Sequence, residues 1–224
     1  MFLGATVAKE QKESVMRVSK VSLPLLIILL TVLGSPAIAF AADVFHFKGE
    51  TAEASFYTSD ATNCIVTSMY LYANNGRSQD PPGRPQPSSY GYVSIYRYDI
   101  CNGYQTLFSG YGYSIPLQGS FDVRPTLDQA ALSTTIQVYD YVSASYHNVS
   151  IDVAWIGGES SSQGRSVSRS EGPGYRYMSR STGTYRSAQA AGTISMGTGN
   201  LTNGQPAYYA SLNSSKSGTV SISN

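Results

Sequence analysis

Apolar and polar side chains alternate along most of this chain beyond residue 42, and this period of two constrains the fold more than any other feature. In residues 90–99, Val93 and Ile95 alternate with residues that include Tyr92 and Tyr96. Successive side chains of a β-strand point to opposite faces, so the aliphatic pair and the tyrosine pair cannot share a face. The alternation is clear in three further segments and weaker in six: 64–72, 135–142 and 149–156, then 43–48, 52–57, 104–113, 188–196, 205–212 and 217–223.

Alternation of this kind predicts strands with one buried face and one solvated face, as is usual in antiparallel sheets. No stretch beyond residue 42 has the spacing of an amphipathic helix. About ten strands joined by short turns rich in Gly, Asn and Ser predict an all-β fold. We expect a single antiparallel β-sandwich, with a closed or partly open β-barrel as the alternative.

Two polar stretches interrupt the alternation and predict long loops. Residues 74–89 contain four prolines, which cannot donate hydrogen bonds to a strand ladder. Residues 157–184 contain eight Ser, six Gly and four Arg, a composition that offers little apolar surface to bury. We therefore expect the second loop to be mobile and dispensable for folding.

Residues 1–41 have the three parts of a secretory signal peptide. Basic residues precede an apolar run over residues 21–33, and small residues, among them Ala39 and Ala41, follow it. The run is shorter than the roughly 20 residues that a membrane span needs, although an uncleaved anchor is the alternative. We expect cleavage after Ala39 or Ala41, leaving one secreted β-domain over residues 42–224 without a transmembrane segment.

The charge balance excludes two classes of protein. The whole chain has 15 basic and 14 acidic residues, and only 13% of its residues are charged. A strongly basic nucleic-acid binder and a highly charged disordered chain are both excluded on these figures, so no nucleic-acid partner is expected. Beyond residue 41 the chain has 11 basic and 12 acidic residues, a net charge of −1.

Cys64 and Cys101 are the only cysteines. Export leads to an oxidising compartment, where two cysteines allow one intramolecular disulfide. Two buried thiols or a disulfide between two chains are the open alternatives. A metal site is not expected, because a separation of 37 residues does not match the spacing of zinc ligands.

Several short segments follow one another in an order that resembles a group of uncharacterised secreted bacterial proteins. They are Glu50–Phe56 (ETAEASF), Cys64, Tyr70–Arg77 (YLYANNGR), Pro81–Pro85 (PPGRP) and Tyr98–Cys101 (YDIC). The resemblance implies a bacterial source and a bond between Cys64 and Cys101. It implies no reaction and assigns no functional residue.

Motifs for catalysis are missing. The chain beyond residue 41 contains no G-x-S-x-G and no H-E-x-x-H, and its two histidines are His46 and His147. No metal and no cofactor are expected. A glycosidase would need two carboxylates roughly 5–9 Å apart, and Asp140 and Asp152 could face each other across a hairpin over residues 135–156. A small extracellular hydrolase acting on glycans through such an acid pair is therefore the alternative function.

Tyrosine is the unusual component of this sequence, with 18 of the 26 aromatic residues. Six pairs of tyrosines stand two residues apart, which places both rings of a pair on one face of a strand. Aligned strands would join such pairs into a surface suited to sugar rings or to a protein partner, whereas sheet stabilisation is the alternative role. The residues we expect in a binding surface are Tyr90, Tyr92, Tyr96, Tyr98, Tyr139 and Tyr141.

Four arginines make the second polar stretch locally basic, and we consider them for contact with an anionic polysaccharide or phosphate. A solubilising loop is the alternative role. These residues are Arg165, Arg169, Arg176 and Arg180. Taken together, the sequence predicts a secreted, non-catalytic β-domain that binds a surface, a glycan or a protein partner.

Overall fold

Ten β-strands account for most of the chain that the computed structural model describes, residues 42–79, 83–84 and 86–223, and none of these residues is helical. The expected signal peptide lies outside the described residues. The all-β, antiparallel fold of about ten strands predicted from the sequence is confirmed. The strands are β1 (Ala42–Asp60), β2 (Ile65–Gln79), β3 (Gln86–Asp99), β4 (Gln105–Ser114), β5 (Ser120–Val123), β6 (Gln129–Asp140), β7 (Ser145–Gly172), β8 (Tyr175–Met196), β9 (Gly199–Asn200) and β10 (Tyr209–Ser223).

All ten strands belong to one antiparallel sheet. The order is β10-β1-β2-β3-β4-β6-β7-β8, and β8 also pairs with β10, so the ladder returns to its start. Short β5 pairs with β6, and β9 pairs with β8. The join between β4 and β6 is confined to the pairs Gly110–Asp140 and Tyr111–Tyr139. The sheet thus curls around one core, as expected of a sandwich or a partly open barrel.

The apolar face of each strand forms this core. Val93 and Ile95 are fully buried, whereas Tyr96 on the opposite face of β3 is 38% exposed. The two faces predicted for this strand are therefore confirmed. The other large, fully buried side chains are Trp155, Phe56, Met69, Leu71, Leu127, Leu132, Ile136, Ile151, Ile194 and Leu212.

Two glycines allow the close approach of β4 to β6. A Cβ atom on Gly110 would collide with the carbonyl oxygen of Tyr139, and one on Gly112 with the carbonyl oxygen of Gln137. Glycine within a strand marks such a close backbone approach. The pairing of β4 with β6 therefore depends on the absence of a Cβ atom at Gly110 and Gly112.

Beyond the core, several strands continue as one sheet, which we call the extended sheet. It consists of residues 42–51 of β1, 74–79 of β2, 161–172 of β7, 175–186 of β8 and 213–223 of β10.

The prediction of long polar loops at 74–89 and 157–184 is corrected here. Most of these residues lie in the extended sheet, and residues 86–89 are the first of β3. In the second stretch, the turn between β7 and β8 consists of two residues, Pro173 and Gly174. A low apolar content limits side-chain burial but does not prevent backbone pairing. Residues 175–184 instead pair through their backbone with β7 on one side and β10 on the other, which requires no apolar side chain.

A disulfide joins the turn between β1 and β2 to the turn between β3 and β4. Cys64 and Cys101 are bonded, with their Cα atoms 5.5 Å apart. Each turn is also held by an aspartate, because Asp60 accepts from the backbone amide of Asn63 at 3.2 Å and Asp99 from that of Cys101 at 3.0 Å. The expected intramolecular disulfide is confirmed.

Candidate functional site

The outer face of the sheet carries a continuous group of tyrosine rings across β2, β3, β4, β6 and β7. Ring centroids lie 5.1 Å apart for Tyr72 and Tyr90, and 6.1 Å apart for Tyr70 and Tyr92. These are ordinary distances for interacting aromatic rings. We call the group the tyrosine surface; its members are Tyr70, Tyr72, Tyr90, Tyr92, Tyr111, Tyr113, Tyr139, Tyr141 and Tyr146.

The register of the strands explains why the tyrosine surface is continuous. Tyr72 stands opposite Tyr92, which in turn stands opposite Tyr113, so three neighbouring strands place a tyrosine in one row. Directly opposite residues share a face of an antiparallel sheet. Across the narrow join, Tyr111 stands opposite Tyr139, and Tyr139 opposite Tyr146.

The rings line two open hollows. The first has a volume of about 410 Å³ and is lined by Tyr70, Tyr72, Tyr90, Tyr92, Tyr113 and Ile115. The second has a volume of about 430 Å³ and is lined by Tyr111, Gly112, Tyr113, Gln137, Tyr139, Tyr141 and Tyr146. Tyr113 lines both hollows, so they adjoin. The exposed Gln137 adds an amide group to an otherwise aromatic wall.

Three hydroxyl groups of this surface, those of Tyr70, Tyr72 and Tyr141, have a raised pKa and hold their protons tightly. Burial, the charge of Glu53 and a hydrogen bond to it raise the pKa of Tyr70 to about 12. Burial and a hydrogen bond with Tyr90 raise the pKa of Tyr72 well above its ordinary value. A hydrogen bond with Tyr111, followed by burial, raises the pKa of Tyr141 to about 12. These three protonated hydroxyls can both donate and accept hydrogen bonds.

Two further tyrosines continue the surface towards β8 and β10. Tyr185 is 40% exposed and Tyr209 is 42% exposed. A hydrogen bond between the two hydroxyls, followed by burial, raises the pKa of Tyr185. Tyr209 stands opposite Ser55 in β1, which stands opposite Tyr70 in β2. Aromatic side chains thus occur on this face along much of the sheet.

Four of the six tyrosines predicted for a binding surface lie in this group: Tyr90, Tyr92, Tyr139 and Tyr141. Tyr96 and Tyr98 lie farther along β3, where their neighbours in β2 are Ser68 and Val66 rather than tyrosines. The prediction omitted five members, although two of the omitted pairs have the same spacing of two in the sequence. The omitted members are Tyr70, Tyr72, Tyr111, Tyr113 and Tyr146.

The carboxylates considered for glycoside hydrolysis do not form a pair. Asp140 is buried on the inner face, whereas Asp152 is exposed on the outer face. Asp140 stands opposite Ser145 of β7, which lies seven residues, or about 23 Å of strand, from Asp152. Asp140 instead stabilises the turn between β6 and β7, because its carboxylate accepts hydrogen bonds from the backbone amides of Val142 and Ser143 at 3.0 and 3.1 Å.

One histidine, two serines and an aspartate meet at that turn. The Ser143 hydroxyl donates to Asp140 at 2.6 Å, and the Ser145 hydroxyl lies 3.0 Å from Nε2 of His147. In a catalytic triad the acid orients the histidine and the histidine activates the serine. Here a serine lies between the acid and the histidine, so the group lacks the connectivity of a triad. Within the described ranges no group of three or more His, Cys, Asp or Glu side chains could hold a metal ion.

The four arginines considered for anion contact all lie in the extended sheet. Arg169 stands opposite Met178, and Arg180 stands opposite Val167, so all four side chains share one face. Tyr175 and Tyr177 occupy the alternate positions on β8 and therefore the other face. The sequence places these tyrosines between arginines, but the strand separates the two residue types.

Comparisons with known proteins add no relative of established function. No family model matches the chain, and no curated protein matches it. Two solved structures of the enduracididine biosynthesis enzyme MppR align at 10% identity. The complex with the condensation product of pyruvate and imidazole 4-carboxaldehyde has a TM-score of 0.15 over 80% of this chain and 87% of that chain. The complex with HEPES buffer has a TM-score of 0.13 over 81% and 86%. Similarity this low carries no argument about fold or activity.

The described residues include no helix that is long and apolar enough to cross a membrane.

Proposed function

We propose that this protein is an exported, non-catalytic binding domain whose tyrosine surface takes a neutral glycan. The observation that supports this proposal most directly is the run of interacting tyrosine rings across five strands, with two adjoining hollows between them. The disulfide between Cys64 and Cys101 is compatible with an exported protein. The signal-peptide pattern of residues 1–41 also supports export.

The chemistry of the surface suits sugars. Tyrosine offers a large flat contact area at a low cost in side-chain entropy, and its ring can pack against the apolar face of a sugar. The tyrosine hydroxyls and the amide of Gln137 supply hydrogen bonds at the ring edges. Because Tyr113 lines both hollows, an oligosaccharide with consecutive sugars in the two hollows fits better than a single sugar.

The alternative expectation, hydrolysis by an acid pair, has weaker support. Glu53 is the carboxylate that interacts with Tyr70, and no carboxylate lines either hollow. Both mechanisms of glycoside hydrolysis ordinarily need two carboxyl groups across the scissile bond. Binding without turnover is therefore the function that we put forward.

Titration calorimetry with neutral cello-, xylo- and chito-oligosaccharides tests the proposal. Tyr92→Ala removes a ring from the centre of the surface and should weaken binding about tenfold, whereas Tyr92→Phe keeps the ring and should retain most of the affinity. Tyr104→Ala is the matched control, because Tyr104 is 72% exposed and lies in a turn outside the surface. Binding that Tyr92→Ala leaves unchanged, or release of a shortened sugar, would contradict the proposal.

A further inference from the structure

Positive charge is concentrated on one face of the extended sheet. Eight of the 11 basic residues beyond position 41 lie there, and the acidic residues Glu50 and Glu171 share the face. The rest of residues 42–224 contains three basic and ten acidic residues, so a net charge of −1 conceals a strong separation of charge. We call this the basic face; its cations are Lys48, Arg77, Arg165, Arg169, Arg176, Arg180, Arg186 and Lys216.

Four of these cations form a straight row across five adjacent strands. Arg165 stands opposite Thr182, Thr182 opposite Lys216, Lys216 opposite Lys48, and Lys48 opposite Arg77. At the usual distance between neighbouring strands, the row spans about 19 Å. All four basic side chains are exposed to solvent. The row is therefore open to an extended ligand.

This arrangement is unfavourable for the isolated sheet. Lys48 stands directly opposite a like charge on both of its neighbouring strands, and such pairs destabilise a sheet. Among the described residues, the ion pairs are Arg176 with Glu171 and Arg124 with Asp128, and neither pair includes a cation of the row. An anionic ligand would relieve the repulsion between these side chains.

The surroundings of the row supply hydrogen-bonding groups. A hollow of about 430 Å³ contains Arg165 and Lys216 together with polar side chains and glycines: Gln163, Gly164, Thr182, Gly183, Thr184 and Ser214. Its hydroxyl and amide groups can bind the uncharged oxygens of a ligand whose anionic groups contact the cations. Hydroxyl and amide groups thus lie beside two of the four cations of the row, Arg165 and Lys216.

We propose that the basic face binds a linear anionic polysaccharide through its carboxylate or sulfate groups. A polymer with regularly spaced charges can contact several cations of the row at once. Single-stranded nucleic acid fits less well, because it needs aromatic rings for base stacking and the described positions of this face include no Phe, Tyr or Trp. The basic face and the tyrosine surface lie on opposite faces of the sheet, so this site is separate from the one proposed above.

Dextran sulfate and uncharged dextran provide matched probes, since they differ only in the sulfate groups. We expect the intact domain to bind dextran sulfate more tightly than dextran in biolayer interferometry, with an affinity that falls as salt is added. Arg165→Gln with Lys216→Gln should weaken that binding about tenfold. The control Arg84→Gln with Arg124→Gln removes the same charge from outside the basic face and should change the affinity less than about twofold.

Each other outcome overturns the inference. Equal losses of affinity in the two double variants would mean that dextran sulfate responds only to the overall charge of the protein. Unchanged affinity in Arg165→Gln with Lys216→Gln would exclude the row of cations as the binding site. Tighter binding to duplex DNA or to anionic phospholipid vesicles than to dextran sulfate would exclude the ligand class. If the first double variant fails to fold by circular dichroism, Lys216→Gln alone and the salt dependence of the unaltered protein give the same decision. Tyr92→Ala should leave dextran sulfate binding unchanged, which separates failure here from failure of the glycan proposal.

Discussion

The core-forming part of the sheet and the extended sheet contain the same strands, yet their inner faces have opposite chemistry. Along β1, the inner positions change from the buried Ala54 and Ala52 to Glu50 and the exposed Lys48 without any break in the pairing with β2 or β10. Backbone hydrogen bonds continue the strands beyond the core, and they do not depend on the side chain. The fold thus separates a part that provides stability from a part whose side chains are free to serve binding.

The largest expected effect concerns the core part. Ile95→Ala removes a fully buried side chain and should lower the free energy of unfolding by about 2–4 kcal/mol, through lost burial and a residual cavity. In the extended sheet, Val167→Ala should change it by less than about 0.5 kcal/mol, because Val167 is 47% exposed. Urea unfolding of both variants measures the contrast. Similar losses for the two would show that the extended sheet contributes to the core.

An intermediate effect should follow from shortening the extended sheet. Deleting residues 164–183 and joining Gln163 to Thr184 by a two-residue Gly-containing turn keeps the register of the remaining hairpin. The deletion exposes one edge of β10 but removes no buried apolar side chain, so we expect a loss below about 2 kcal/mol. In calorimetry this corresponds to a fall in Tm of less than about 8 °C. A larger fall would mean that the hairpin is part of the cooperative core.

The effect that is smallest at neutral pH comes from the hydroxyl of Tyr70, because it develops only in alkaline solution. The pKa of Tyr70 is raised from its ordinary value of 10.0 to about 12, so the folded protein holds the phenolic proton more tightly than the unfolded chain does. The resulting stabilisation is complete below about pH 10 and is lost as the pH rises towards 12. Urea midpoints measured over that interval should fall, and Tyr70→Phe should reduce the slope. An unchanged slope in that variant would exclude Tyr70 as the group responsible.

Local alternation predicted the strands well, because the period of two depends on residues that lie next to each other in the chain. The clear segments 64–72, 90–99, 135–142 and 149–156 coincide with parts of β2, β3, β6 and β7, apart from one or two residues at their ends. The buried face of β3 is the predicted one. Alternation records which side of a strand is buried. It carries no information on which strands are neighbours.

Properties that depend on neighbouring strands are therefore predicted only in part. The tyrosine surface requires the register that places Tyr72 opposite Tyr92, and this register is not encoded in the spacing of either pair alone. The stretch at 157–184 contains few apolar residues, and such a composition predicts a loop. A signal was nevertheless present: Arg165 and Arg169 are separated by four residues, an even number that places both on one face if the stretch is a strand.

The segregation of charge makes the domain an electric dipole directed along its strands. The basic face lies at the end of β1 that begins near residue 42, while Asp60 and Asp99 lie at the turns at the opposite end of β1 and β3. A nearly uncharged protein with such a dipole experiences little net force near an anionic surface but a definite torque. It would approach with the basic face first, so that orientation precedes contact.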